Sequence, residues 1–303
     1  MTQLSTFHSG IALRLFSAFL MTAMSAVVHA AADSASLAQL VFFRSAVALL
    51  PIVLYMLWQS DFPRALTTKH PGLHVTRSLF GVFSMAMSFL SLTYLSVSNA
   101  QALAYLTPVL VLPLAAILLG ERLTRITFVA IGLGFGGALL LMWDALSVPT
   151  ELGYIGVAAG LAYAGTMAFV RVHTKTMTKT ESATTIAFYF AVVAAFVGLV
   201  CLPFNWQPLD LATLSWLILA GLIGGVGHIV SNEAVARAPV STLAPFDYTG
   251  LIWALGFDVI LFEVWPGALG LWGICAITSA ALIVAFSGAP RRTPKKEKSR
   301  LNS

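Results

Sequence analysis

Residues Leu243 to Glu263 read LAPFDYTGLIWALGFDVILFE. The run is apolar enough to cross a bilayer, yet it carries Asp247 and, further along, Asp258. An ionised carboxylate in hydrocarbon costs on the order of a few kcal/mol, so such a group faces a polar cavity, a partner, or is protonated. If the run is one continuous helix, the spacing of the two aspartates brings them within about 20° of a common face. That face is expected to look into the protein. A weaker copy of the stretch lies 142 positions earlier, Gln101 to Glu121, with Pro108 opposite Gly250, Glu121 opposite Glu263 and Tyr105 opposite Asp247.

The rest of the chain has the same character. It is 58% hydrophobic and 10% charged, with a mean hydropathy of +0.88; soluble domains carry about 25% charged residues. Ten apolar runs follow one another, at 11–31, 37–58, 73–95, 98–119, 124–142, 151–171, 182–203, 212–235, 241–262 and 265–287. Each has about the length that a helix needs to span a membrane. The fold class is therefore an all-α polytopic membrane protein of ten transmembrane helices. Val28-His29-Ala30 resembles a signal-peptidase site, but no Lys or Arg precedes Arg14, so the first run is read as a retained helix.

Charge sets the expected orientation. With the N-terminus inside, the inner connections hold Arg64, Lys69, Arg122, Arg125, Arg171, Lys175, Lys179 and Arg237. The outer ones hold Asp33, Asp144, Glu151, Asp210 and Glu263. Such a bias predicts both termini on the cytoplasmic side of a bacterial inner membrane. Arg14 and Arg77 fall at inner helix ends, where long side chains are expected to reach the interface. The net charge of +5 owes much to a tail, 288–303, whose last thirteen residues hold six of the seventeen Lys and Arg. Anionic lipid explains that tail better than nucleic acid, for which no folded basic domain exists.

A second internal match sets Ser36–Arg44 against Ser182–Phe190 at an offset of 146. Helices one to five then correspond to six to ten, in units 11–142 and 151–287. Since five is odd, the units insert in opposite senses, as inverted repeats of secondary carriers do.

The order of elements resembles the drug/metabolite transporter superfamily, in particular its EamA-type ten-helix carriers. The resemblance rests on Leu106-Thr107-Pro108-Val109 with Leu119-Gly120-Glu121-Arg122-Leu123, and on Ala238-Pro239-Val240-Ser241, Leu243-Ala244-Pro245-Phe246-Asp247-Tyr248, Trp253 and Phe262-Glu263. Gly250 stands where the first half has Pro108, and Phe262 where it has Gly120. The resemblance implies alternating access around a central cavity and leaves the substrate open.

Among candidate site residues, Arg44 lies about 12 Å into helix two from the outer side, at 1.5 Å per residue. Asp247 lies about as far into helix nine from the inner side, so in a core about 30 Å thick both approach the midplane. Either they pair, or Arg44 binds an anionic substrate group while Asp247 takes a cation or proton. His29 and His228 are candidate proton relays or structural donors. Asn99, Gln101 and Asn232 join helices or touch substrate. Phe42, Phe43, Tyr105, Phe246, Tyr248 and Trp253 supply candidate cavity walls. Glu121 and Glu263 end their helices where a carboxylate opposes the dipole, so each is expected to cap a neighbour or pair with arginine. Gly132–Gly137 lacks a preceding strand and a following Lys, so it reads as close helix packing, like Gly221–Gly225.

These readings predict a secondary carrier for a small organic metabolite such as an amino acid derivative or vitamin, with proton coupling at Asp247 as one option. Drug efflux on the same fold is the alternative, ahead of a channel or a scaffold. The expected partners are that substrate and the bilayer, with a homodimer left open. No enzyme, cofactor or metal is expected: Cys201 and Cys275 sit alone in apolar runs, and no catalytic cluster is present.

Overall fold

The computed structural model describes residues 3–32, 34–60, 62–68, 70–94, 103–141, 143, 153–204, 206–262 and 267–286. The side chains of His29 and Asp258, and all of Asn99, Gln101, Glu263 and the tail 288–303, lie outside the described set. What is described is helical. In order come α1 (Gln3–Ala32), α2 (Leu37–Trp58), α3 (Pro71–Tyr94), α4 (Thr107–Leu119), α5 (Arg125–Leu141), α6 (Gly153–Met177), α7 (Ala183–Cys201) and α8 (Leu211–Arg237). A lead-in turn (Val240–Leu243) and a 3₁₀ segment (Ala244–Tyr248) then precede α9 (Thr249–Phe262) and α10 (Ala268–Phe286). Six stretches among the described residues are long and apolar enough to cross a membrane, within α1, α2, α6, α7 with its short extension, α8 and α10; α4 and most of α5 are shorter apolar helices.

Local chemistry explains where several helices begin and end. Ser36 caps α2 in a reciprocal box with Gln39, and Ser182 caps α7 by accepting from the Thr185 amide. These serines are the pair matched at an offset of 146. Each accepts one of the amides that a helix start leaves without a partner. Likewise α4 starts at Thr107 and α9 at Thr249, 142 residues apart. At the other end of α4, Gly120 adopts φ 66°, a left-handed cap that costs glycine little.

Packing is dominated by pairs that join one half to the other: α1 with α8, α3 with α6, α2 with α7, α2 with α8, α5 with α10, α4 with α6, and α1 with α9. Exchange of each helix with the one five places on maps α1–α8 onto α3–α6 and α4–α6 onto α1–α9. The pairs α2–α7 and α5–α10 map onto themselves. The halves are thus interleaved rather than side by side.

Glycine lets the backbones approach. A Cβ at Gly225 would sit 2.5 Å from Pro51 Cγ and 2.7 Å from the Ala48 carbonyl, and one at Gly137 would meet the Gly273 carbonyl at 2.8 Å. Gly132 and Gly136 face open space. Packing therefore explains the glycines of α8 and those of α5 that point inward.

Candidate functional site

Charged side chains gather at two levels of the bundle. The first is at the break before α9. Asp247 stands in the 3₁₀ segment and receives Arg14 of α1 on one oxygen and Arg171 of α6 on the other. The three side chains are 9%, 11% and 25% exposed, and Arg14 also donates to Ser231 Oγ of α8 at 2.9 Å. A small pocket opens beside them, lined in addition by Val111, Val235, Val240 and Leu243.

Of the two arrangements left open for Arg44 and Asp247, the pair is not the one formed: the chain breaks before α9 instead of running as one helix, and Asp247 meets Arg14 of α1 and Arg171 of α6. The common-face argument for Asp247 and Asp258 assumed that continuous helix. Nor do Arg14 and Arg77 reach out to the interface. α1 begins at Gln3 and α3 at Pro71, earlier than hydropathy suggests, so both arginines sit inside their helices.

The same end is tied by two further groups. Glu121, just past α4, accepts the backbone amides of Val240 and Ser241 at 3.1 Å each, together with the Ser241 hydroxyl. It thereby caps the lead-in turn from the other half, as expected of a carboxylate past a helix end. Lys175 of α6 donates to the carbonyls of Val235 (2.6 Å), Ala238 (2.9 Å) and Ala236 (3.3 Å), closing the C-terminus of α8.

The second level lies deeper. Arg44 of α2 directs NH1 to Met85 Sδ of α3 at 3.2 Å, and its NH2 is 3.4 Å from His228 Nε2 of α8. The Arg77 guanidinium of α3 lies 4.0 Å from the centroid of the Phe190 ring of α7. Phe190 in turn meets the His228 ring edge-on at 5.1 Å. Arg77 is 5% exposed, and its Nε and NH1 are buried without a hydrogen-bond partner. Arg44 and Arg77 are within electrostatic reach of each other, and the half-buried Tyr163 of α6 is within reach of both Arg44 and Arg171. Among the described residues neither Arg44 nor Arg77 has a carboxylate partner.

The remaining candidates divide between the two levels and plain packing. Tyr248 is fully buried, donates to the Tyr105 carbonyl at 3.3 Å and lies ring against ring with Tyr105 at 5.8 Å. Trp253 is 40% exposed and meets Phe19 edge-on. Phe43 packs with Val28 and Leu209 against Ala31, Leu40 and Leu217, a structural position. Asn232 donates to the Ala183 carbonyl at 3.1 Å and joins α8 to α7. His29, Asn99, Gln101, Asp258 and Glu263 lie outside the described side chains. The sequence reading passed over Arg14, Arg77 and Arg171 as site residues. All three fall within the predicted apolar runs, and a buried guanidinium there was signal enough.

A helical bundle in which six of the described stretches are long and apolar enough to cross a bilayer is the architecture of a multi-pass membrane protein. Residues 8–143 match the EamA-like transporter family. The chain is 26% identical over 302 residues to the pseudopaline exporter CntI of Pseudomonas aeruginosa, covering 96% of this chain and 99% of that one. It is also 26% identical over 247 residues to the S-adenosylmethionine uptake transporter of Rickettsia bellii, 81% of each chain. A crystal structure matches the fold with a TM-score of 0.79 over 91% of this chain and 96% of its own, at 17% identity. The chain is thus similar, over part of its length, to the EamA-like transporter family and, over most of it, to proteins named as small-molecule transporters.

Proposed function

We propose that this protein is a secondary carrier that moves a small organic metabolite across the bacterial inner membrane by alternating access, with both termini cytoplasmic. The observation that carries the reading is the central layer of Arg44, Arg77 and His228. Three helices from both halves meet there, and buried ionisable groups within a membrane span mark transport pathways by default. Units 11–142 and 151–287 would rock about that layer. The cluster of Asp247, Arg14 and Arg171, with the Glu121 cap, closes one end, which the charge bias makes the cytoplasmic one.

Coupling to a proton fits this closure, since a proton on Asp247 would release two arginines at once and free the end of the bundle. The test is exit of metabolites from proteoliposomes loaded with a bacterial small-molecule extract, followed by mass spectrometry with and without an imposed pH gradient. Expected are protein-dependent loss of a narrow set of compounds, its abolition in Arg44→Gln, and a gradient response that Asp247→Asn lacks. A rate indifferent to the gradient in wild type and equal in Asp247→Asn would overturn the coupling. No protein-dependent exit of any compound would overturn the carrier.

A further inference from the structure

We infer that the central layer is a receptor for organic anions with two acidic groups, one for each guanidinium of Arg44 and Arg77; this rests on the carrier reading and specifies its substrate class. Consider first what the protein leaves undone. A guanidinium presents five N–H donors in a planar fork and stays charged in proteins. Phe190 covers the face of Arg77 at 4.0 Å, which satisfies the cation but none of its edge donors. Nε and NH1 of Arg77 are buried and have no acceptor among the described residues. Buried polar groups are nearly always hydrogen-bonded, and each exception needs an account.

Arg44 is little better supplied. Its acceptors are a thioether sulfur at 3.2 Å, which is weak, and an imidazole nitrogen at the long distance of 3.4 Å. The charge balance sharpens the point. Removing a cation from water costs several kcal/mol even after relaxation, and the usual remedy is a carboxylate. Two of the buried arginines, Arg14 and Arg171, have that remedy in Asp247. Arg44 and Arg77 have none among the described residues, and they lie within electrostatic reach of one another, so each also raises the cost of the other. A site that only held helices together would gain from apolar side chains here. A site that waits for a dianion needs what is present: two forks, unpaired edges and an aromatic floor. Carboxylate and phosphate both match a fork with two parallel N–H···O bonds. The substrate class is therefore a small metabolite with two such groups, whatever its backbone.

The experiment uses the full chain purified in detergent, with glutarate, butyrate, glutaramide, glycerol phosphate and chloride as probes of thermal unfolding. Glutarate is expected to raise the unfolding midpoint at millimolar concentration, butyrate to do so less, and glutaramide and chloride not at all. A larger shift with glycerol phosphate than with glutarate would assign phosphate over carboxylate at one of the two positions. Arg44→Gln and Arg77→Gln should each weaken glutarate by about 10- to 100-fold, the effect of losing hydrogen bonds between charged partners. Arg77→Lys keeps the charge without the fork and should fall between wild type and Arg77→Gln. Equal responses to glutarate and glutaramide or chloride, or a glutarate response that survives Arg44→Gln and Arg77→Lys unchanged, would overturn the receptor. So would no response to any of the acids. The carrier is judged separately: exit of neutral compounds from proteoliposomes with no glutarate response keeps the carrier and discards its anionic substrate. A glutarate response that needs both arginines, with no exit of any compound, does the reverse.

Discussion

The bundle holds two pairs of arginines between its helices, Arg77 buried and the others partly so, and it treats the pairs in opposite ways. At the break before α9, Arg14 and Arg171 share Asp247, and their neighbours Glu121 and Lys175 are tied to backbone amides and carbonyls. In the deeper layer, Arg44 and Arg77 have sulfur, imidazole and an aromatic face. Both pairs bear the desolvation penalty, and only the first has an internal counter-charge. A compensated charge cluster joins elements of both halves, which suits the closure proposed for that end of the bundle. An uncompensated one makes sense as a surface prepared for something that arrives from outside.

The sharpest way to break this comparison is at Asp247. Asp247→Asn would leave two buried guanidiniums without a counter-ion, and removal of one partner from a buried ion pair costs about 3–5 kcal/mol. At roughly 2–4 °C per kcal/mol for a chain of this size, the unfolding midpoint should fall by about 10 °C. Adding Arg171→Gln should restore part of that loss, because the second change removes one of the stranded charges and the two sites share a partner. If Asp247→Asn unfolds like wild type, the cluster is not a closure and the contrast with the deeper layer disappears.

Glu121 comes next. Its carboxylate receives two amides and a hydroxyl from the lead-in turn, and hydrogen bonds to a charged group are worth about 1.5–3 kcal/mol each before any rearrangement. Glu121→Ala should lower stability by about 2–3 kcal/mol, less than Asp247→Asn because water reaches this half-buried site and replaces part of what is lost. Ser241→Ala removes only the hydroxyl and should cost about 1 kcal/mol. The measurement is thermal unfolding in detergent, with hydrogen exchange of Val240 and Ser241 to show that the loss is local. Unchanged exchange at those amides in Glu121→Ala would mean that the cap does not hold the turn.

Much of the frame was legible in the sequence, and the reasons are local. Each apolar run contains a helix among the described residues, although the run at 241–262 is broken before α9, because hydropathy over about twenty residues reports apolar helical segments directly. The serines 146 apart are both helix caps, and the threonines 142 apart both start helices, because capping is a property of a few adjacent residues. The role of Glu121 was legible too, since a carboxylate at the end of its own helix must find donors elsewhere. The pairing of charges was not. Arg44 and Asp247 have similar depth by count, yet depth says nothing about which helix faces which, and the break before α9 turns Asp247 toward α1 and α6. Arg14 was assigned to the rim because polar neighbours such as Thr6 and His8 shorten the apparent span, and Arg171 to a connection because its apolar run ends there, while both helices continue through them. Backbone hydrogen bonding, not hydropathy, decides where a helix ends.

The smallest expected effect carries the opposite sign. Arg77→Met removes a stacking contact worth about 0.5–2 kcal/mol over Phe190. It also removes a buried cation whose desolvation costs several kcal/mol, and whose Nε and NH1 donors have no partner among the described residues. Met is unbranched and adapts to an irregular space, so the packing penalty stays small. The ligand-free protein should therefore be as stable as wild type or more stable by about 1 kcal/mol, a residue kept at the expense of stability because activity needs it. Glutarate should no longer shift the unfolding midpoint of this variant. Thermal unfolding of wild type and Arg77→Met, each with and without glutarate, decides the matter. A marked loss of stability in the ligand-free variant would make Arg77 a strut like Arg14. The two layers would then differ only in how their arginines are held, and not in what they are for.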